Sequence, residues 1–124
     1  MYTLDTNVLI YYLANEFDTI QLINNTISSN YPLYVSAISV AEMTSLSILT
    51  NTELLTIQKT LELFSILAVD TKIASIAGSI RRTYSTVKLP DALIAATALF
   101  TNTKLVTRNV KDFQKIKELK IISI

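Results

Sequence analysis

Four carboxylates stand far apart in the chain, each among apolar or small neighbours: Asp5 in Leu4-Asp5-Thr6-Asn7, Glu42 in Val40-Ala41-Glu42-Met43, Asp91 in Leu89-Pro90-Asp91-Ala92 and Asp112 in Val110-Lys111-Asp112-Phe113. A charge in apolar surroundings is costly unless a partner or a metal compensates it. In a chain with only ten acidic residues, such placements ask for a reason. If folding gathers these acids, they make an oxygen-only site suited to a hard divalent cation, and the chemistry that follows is metal-dependent hydrolysis.

The missing residue types narrow the choice further. The chain has no cysteine and no histidine, which excludes thiol chemistry, serine-histidine triads and zinc sites built on nitrogen and sulfur. Its single glycine, Gly78, cannot form a Gly-rich phosphate loop, so a P-loop enzyme, kinase or dehydrogenase is not expected. Carboxylates remain as the obvious bases.

The elements that must position the acids are short apolar runs alternating with longer helical patterns. Strands are predicted at 2–5, 33–36, 66–69, 104–107 and 120–123, and helices at 6–14, 18–28, 38–49, 52–64, 72–83 and 91–100. That alternation implies an α/β fold with a short parallel sheet and helices on both faces. Ligands of such open folds gather beyond the carboxyl ends of the strands. Asp5 ends the first predicted strand, and Asn109 and Asp112 follow the fourth, so these residues can share one end of the sheet.

Each acid also has a purely structural reading. Asp5 can cap the helix beginning at Thr6, although a strand-end position aims it into the ligand crevice with Thr6 and Asn7 beside it. On a 100° helical wheel Ile38, Ala41, Leu46 and Leu49 form an apolar stripe that Glu42 interrupts, which places that acid on an expected buried face. Asp91 suits the positive end of the helix it opens, and the small Ala95 and Ala98 on nearly the same face leave room for another element to approach it. Asp112 and Asn109 can serve simply as turn formers.

A length of 124 residues fits one domain, 1–124. Half of the residues are hydrophobic and 17% are charged, which argues against disorder and leaves apolar surface for a partner. The uncharged stretch 19–41 is too polar for a membrane span, and the amino terminus lacks the form of a secretory signal. The expected location is cytoplasmic. Net charge is +1, but residues 1–71 carry one lysine against seven acids and residues 72–124 carry ten Lys or Arg against three acids. Such asymmetry can steer a polyanion.

Four segments in order carry a resemblance: Leu4-Asp5-Thr6-Asn7-Val8-Leu9-Ile10, Ser39-Val40-Ala41-Glu42, 89–98 with Pro90-Asp91-Ala92 at its head, and 105–113 with Thr107-Arg108-Asn109 and Asp112-Phe113. Together they resemble the PIN-domain family, specifically toxins of the VapC type, over nearly the whole chain. The resemblance implies a small α/β fold, Mg²⁺ or Mn²⁺ dependence, endonucleolytic cleavage of RNA, a homodimer and a cognate antitoxin. By position Asp5, Glu42 and Asp91 match the family's three central acids, and Asp112 its more variable fourth. Thr6, Asn7, Thr107 and Asn109 match polar positions around the site, with Asn109 standing where some members carry Asp.

Charge and proximity in sequence to Asp91 and Asp112 make Arg81, Arg82, Lys88, Arg108, Lys111 and Lys115 candidate RNA phosphate contacts. Tyr11, Tyr12, Tyr34 and Tyr84 can stack on unpaired bases, but packing is the commoner role for such residues. Two rival readings stand beside the nuclease. One is a PIN-like module that binds RNA or protein without turnover. The other is a receiver-like phosphoacceptor, which Glu42 on a helix and Asp91 at a helix start fit poorly.

Overall fold

Short β-branched runs and longer helical patterns resolve into five strands and seven helices in the computed structural model, which describes residues 1–124. In chain order these are β1 (Tyr2–Leu4), α1 (Thr6–Leu13), α2 (Phe17–Ser28), β2 (Leu33–Ser36), α3 (Ala37–Thr44), α4 (Asn51–Leu61), β3 (Ser65–Leu67), α5 (Thr71–Thr83), α6 (Leu89–Thr101), β4 (Lys104–Thr107), α7 (Val110–Phe113) and β5 (Ile121–Ser123). All strand pairs are parallel and the order is β3-β2-β1-β4-β5. The fold is therefore the expected α/β arrangement.

Two apolar layers cover the sheet, as parallel strands require. Leu4, Val35 and Val106 pack with Val8, Leu9 and Ile23 on one side. Leu105 packs on the other with Ile73, Ile94 and Phe113. The switch from Leu105 to Val106 follows the two-residue period of a strand, which sends successive side chains to opposite faces. No helix is long and apolar enough to cross a membrane.

Local chemistry sets where the helices begin and stop. Asp5, Glu16, Ser36, Thr50 and Asp70 each cap a following helix by accepting a backbone N–H, the usual way to satisfy an orphan donor. Pro90 occupies the first turn of α6, where its missing N–H costs nothing. With one glycine in the chain, asparagine supplies the left-handed backbone: Asn15, Asn30 and Asn102 have φ of 59°, 59° and 52°, a conformation that asparagine tolerates better than most residues.

The helix predicted at 38–49 is shorter than expected. It ends at Thr44, with Thr44 Oγ1 donating to the Val40 carbonyl at 2.7 Å and Ser45 Oγ to the Glu42 carbonyl at 3.0 Å. Such side-chain bonds compete with helix propagation. The expectation that Glu42 interrupts a buried stripe is therefore corrected: Ala41, Glu42 and Leu46 are exposed, while Ser39 and Met43 form the buried face. One short helix, α7, was not foreseen as a separate element.

Candidate active site

β1 and β4 are neighbours at the point where the strand order reverses, with Leu4 in register with Val106. Their carboxyl ends open the crevice in which α/β folds place ligands. Asp5 follows β1 and Thr107 closes β4, so the two meet there. The Asp5 amide donates to the Val106 carbonyl at 3.0 Å, and its carboxylate receives the Thr6 amide at 2.8 Å and the Thr107 hydroxyl at 2.7 Å. Asp5 is 4% exposed. Burial raises its pKa most, the bonds from Thr107 and Thr6 counter that, and the charges of Glu42 and Asp112 raise it again.

Glu42 enters from α3. Thr6 Oγ1 lies 2.8 Å from Glu42 Oε1 and 2.8 Å from Ser39 Oγ. A carboxylate only accepts, so the Thr6 proton goes to Glu42 and Ser39 completes the chain. Ser39 is fully buried and was quoted in the sequence motif without being assigned to the site. Its signal was present: it precedes Glu42 by three residues on one helix, which places both on the same side.

Asp91 arrives by topology. α6 leads directly into β4 and packs across β1, β2 and β4, so it runs opposite to the strands and its first turn lies at their carboxyl ends. Asp91 is half-buried there. Burial raises its pKa first and the charges of Asp5, Asp112 and Glu42 add to this, while Lys88 works in the other direction; the result is about 6, against an ordinary 3.8. Glu42 and Asp112 therefore act on both Asp5 and Asp91, and Asp5 acts on Asp91, across this edge of the sheet. Asp112 is exposed on α7, with its amide bonded to the Asn109 carbonyl at 3.1 Å. Asn109 caps that helix by position, and its own amide is held by Thr107 Oγ1 at 2.9 Å.

No three of the acids converge closely enough to chelate an ion without help. The donor set still fits Mg²⁺ or Mn²⁺, since Mg²⁺ characteristically takes one or two protein carboxylates and fills its octahedron with water and phosphate oxygens. Two further observations agree with a cation. The mutual repulsion that raises Asp91 is the kind a divalent charge relieves. Asn7 Oδ1, two residues from Asp5, is buried without a hydrogen-bond partner, an acceptor suited to a bound water.

Comparison with known proteins identifies the family. A family model described as PIN domain matches residues 2–119. The chain belongs to the PIN-domain family. Among solved structures, this PIN domain is similar to a toxin-antitoxin complex from Klebsiella pneumoniae (28% identity, TM-score 0.79, covering 98% of this chain and 96% of that one). It is also similar to a DNA-bound VapBC from Salmonella typhimurium (25%, TM-score 0.85, 98% and 96%). VapBC2 from Rickettsia felis bound to a promoter DNA fragment shares the fold (23%, TM-score 0.84, 99% and 98%). No curated protein matches the PIN domain.

The six candidate phosphate contacts divide by environment. Arg81 donates from Nε to the Val87 carbonyl at 3.1 Å and Lys115 from Nζ to Thr86 Oγ1 at 2.8 Å. With Lys88, they border the segment that leads into Asp91. Arg82 is bonded to Ser79 on the solvent side of α5, and Lys111 is exposed beside Asp112. Arg108 differs from all of these, being held against Tyr11 and Glu16. Neither of those partners was assigned to the site from sequence.

Proposed function

We propose that this PIN domain is a Mg²⁺- or Mn²⁺-dependent endoribonuclease and the toxin of a toxin-antitoxin pair. The observation that carries the reading is the placement of Asp5 and Asp91 at the switch point of a parallel sheet, where burial and the charges of Glu42 and Asp112 raise both carboxyls. Asp5 and Asp91 would hold the ion, with Glu42 and Asp112 close enough to act on both. When bound, the ion supplies charge neutralisation, activation of water and stabilisation of the scissile phosphate.

The chain's own groups do the rest. Thr107 and the Thr6 amide fix both oxygens of Asp5 and offset part of the burial that raises its pKa. Thr6 fixes one oxygen of Glu42, leaving the other to take a proton from the attacking water. Asn7 offers its unpartnered Oδ1 to orient that water. Lys88, Lys111 and Lys115 supply positive charge for the RNA backbone around the acids.

A second surface supports the antitoxin. An open groove of about 560 Å³ runs between α1, α3 and α4, from Thr6 and Glu42 to Leu46, Leu49 and Ile57. Ile10 and Leu46 line it and are more than half exposed, an apolar patch of the kind that marks a protein contact. The solved relatives from Klebsiella and Salmonella are a toxin-antitoxin complex and a VapBC assembly. We assign this groove to a segment of a cognate antitoxin, with a second copy of the chain as the further partner in a homodimer.

The test uses antitoxin-free protein and its Asp5→Asn variant, incubated with total RNA from the same source under Mg²⁺, Mn²⁺ or chelator, with new ends mapped. Discrete cuts that require both metal and Asp5 are expected. Folded, metal-binding protein that leaves RNA intact would overturn the nuclease and favour a non-catalytic binding module.

A further inference from the structure

Eleven basic and ten acidic residues produce one ion pair in the molecule, Arg108 Nη2 to Glu16 Oε1 at 2.6 Å. Both side chains are about 30% exposed, so the pair is not a loose surface contact. The Arg108 guanidinium also lies over the Tyr11 ring, 4.1 Å from its centroid, where a planar cation gains from the ring's negative face. Glu16 is itself pinned. Its Oε2 caps α2 by accepting the Thr19 amide at 3.1 Å and the Thr19 hydroxyl, and these bonds together with Arg108 hold its carboxyl below the usual carboxylate range.

The arrangement has a cost. Arg108 Nε is buried with no hydrogen-bond partner, a desolvation penalty that a rotamer turned to solvent would avoid. The residues on either side of Arg108 suggest what is gained. Thr107 bonds to Asp5, the Asn109 amide bonds to Thr107 Oγ1, and the Asp112 amide bonds to the Asn109 carbonyl. This segment carries the Asp112 carboxylate toward Asp5 and Asp91, on both of which its charge acts. At its far end the fully buried Phe113 anchors α7. At its near end the bulky anchor is Arg108, fastened to the two ends of the α1–α2 turn.

We propose that Arg108 is a positioning residue: clamped between Tyr11 and Glu16, it ties the β4–α7 turn to α1 and holds Asn109 and Asp112 at the acidic site against carboxylate repulsion. The clamp competes with the reading of Arg108 as a phosphate contact, because Nη2 is engaged by Glu16 and one face of the guanidinium by the Tyr11 ring. Its consequence for metal binding rests on the function proposed above. The clamp itself rests on Arg108, Tyr11 and Glu16.

The test compares the antitoxin-free chain with Arg108→Lys, Glu16→Gln and Tyr11→Phe by hydrogen exchange across 107–113, Mn²⁺ calorimetry and thermal melting. Arg108→Lys keeps the charge but not the planar fork, and it leaves the Glu16 cap on α2 intact if Glu16→Gln should impair folding. Faster exchange and an Mn²⁺ affinity weaker by about tenfold, typical of lost outer-shell support, are expected for Arg108→Lys and Glu16→Gln at nearly unchanged melting temperature. Tyr11→Phe retains the ring face and should match the unaltered chain. Unchanged exchange in both clamp variants overturns the proposal. So does a raised KM with unchanged Mn²⁺ affinity and a salt dependence weaker by about one unit, which is the signature of a phosphate contact. If the unaltered chain cuts no RNA, or binds no Mn²⁺, the nuclease reading fails while the exchange data still decide the clamp.

Discussion

Asp91 is the residue at which electrostatics and stability oppose each other most directly. Its folded pKa of about 6 exceeds the ordinary 3.8, so the folded chain binds the proton more tightly than the unfolded chain does. The associated stability is fully present below pH 3.8 and is lost as pH rises through about 6. At neutral pH without metal the carboxylate is therefore a burden. The shift corresponds to about 3 kcal/mol in the unscreened limit, which solvent at a half-exposed group reduces to about 1 kcal/mol. Asp91→Asn should raise metal-free stability by that amount at pH 8, and the advantage should disappear near pH 4, as read from urea unfolding at the two values. Added Mn²⁺ should reverse the order at pH 8, because only the native chain can bind the ion tightly and be stabilised by it.

At the level of elements, the strands at 33–36 and 104–107 follow their apolar runs without adjustment, and the topology then brings the ends of distant segments together. What sequence phase could not supply was the end of α3. Leu46 and Leu49 keep the 3.6-residue period but lie beyond the helix, because Thr44 and Ser45 turn their hydroxyls onto its carbonyls. The apolar stripe expected there is instead a wall of the groove. Glu42 was selected for burial it does not have, and it belongs to the site because Thr6 bonds to it. The Arg108–Glu16 pair joins residues 92 positions apart, beyond the reach of any local pattern. The asparagine stops carried a local signal in a glycine-poor chain. Asn102→Ala, placed at φ 52° where α6 gives way to β4, should cost about 1 kcal/mol and Asn102→Gly close to nothing. Paired denaturation curves would show that difference.

For the molecule as a whole, the acidic crevice adjoins an apolar groove that shares Thr6 and Glu42 with it. A partner seated in that groove would stand at the edge of the site it controls. Leu46 is 59% exposed, so Leu46→Ser should change stability by no more than about 0.5 kcal/mol. It should weaken capture of the proposed cognate antitoxin by about tenfold, a loss near 1.4 kcal/mol, measured by calorimetry. Equal affinity would move the antitoxin to another face. The central claim remains that four carboxylates from separate segments form one cation site. Crystals of the antitoxin-free protein soaked in Mn²⁺ and measured at the manganese absorption edge test it most directly. The expected result is an anomalous peak between Asp5 and Asp91, absent from Asp5→Asn crystals; saturating Mn²⁺ with no peak there, or a peak confined to some other part of the surface, would contradict the account.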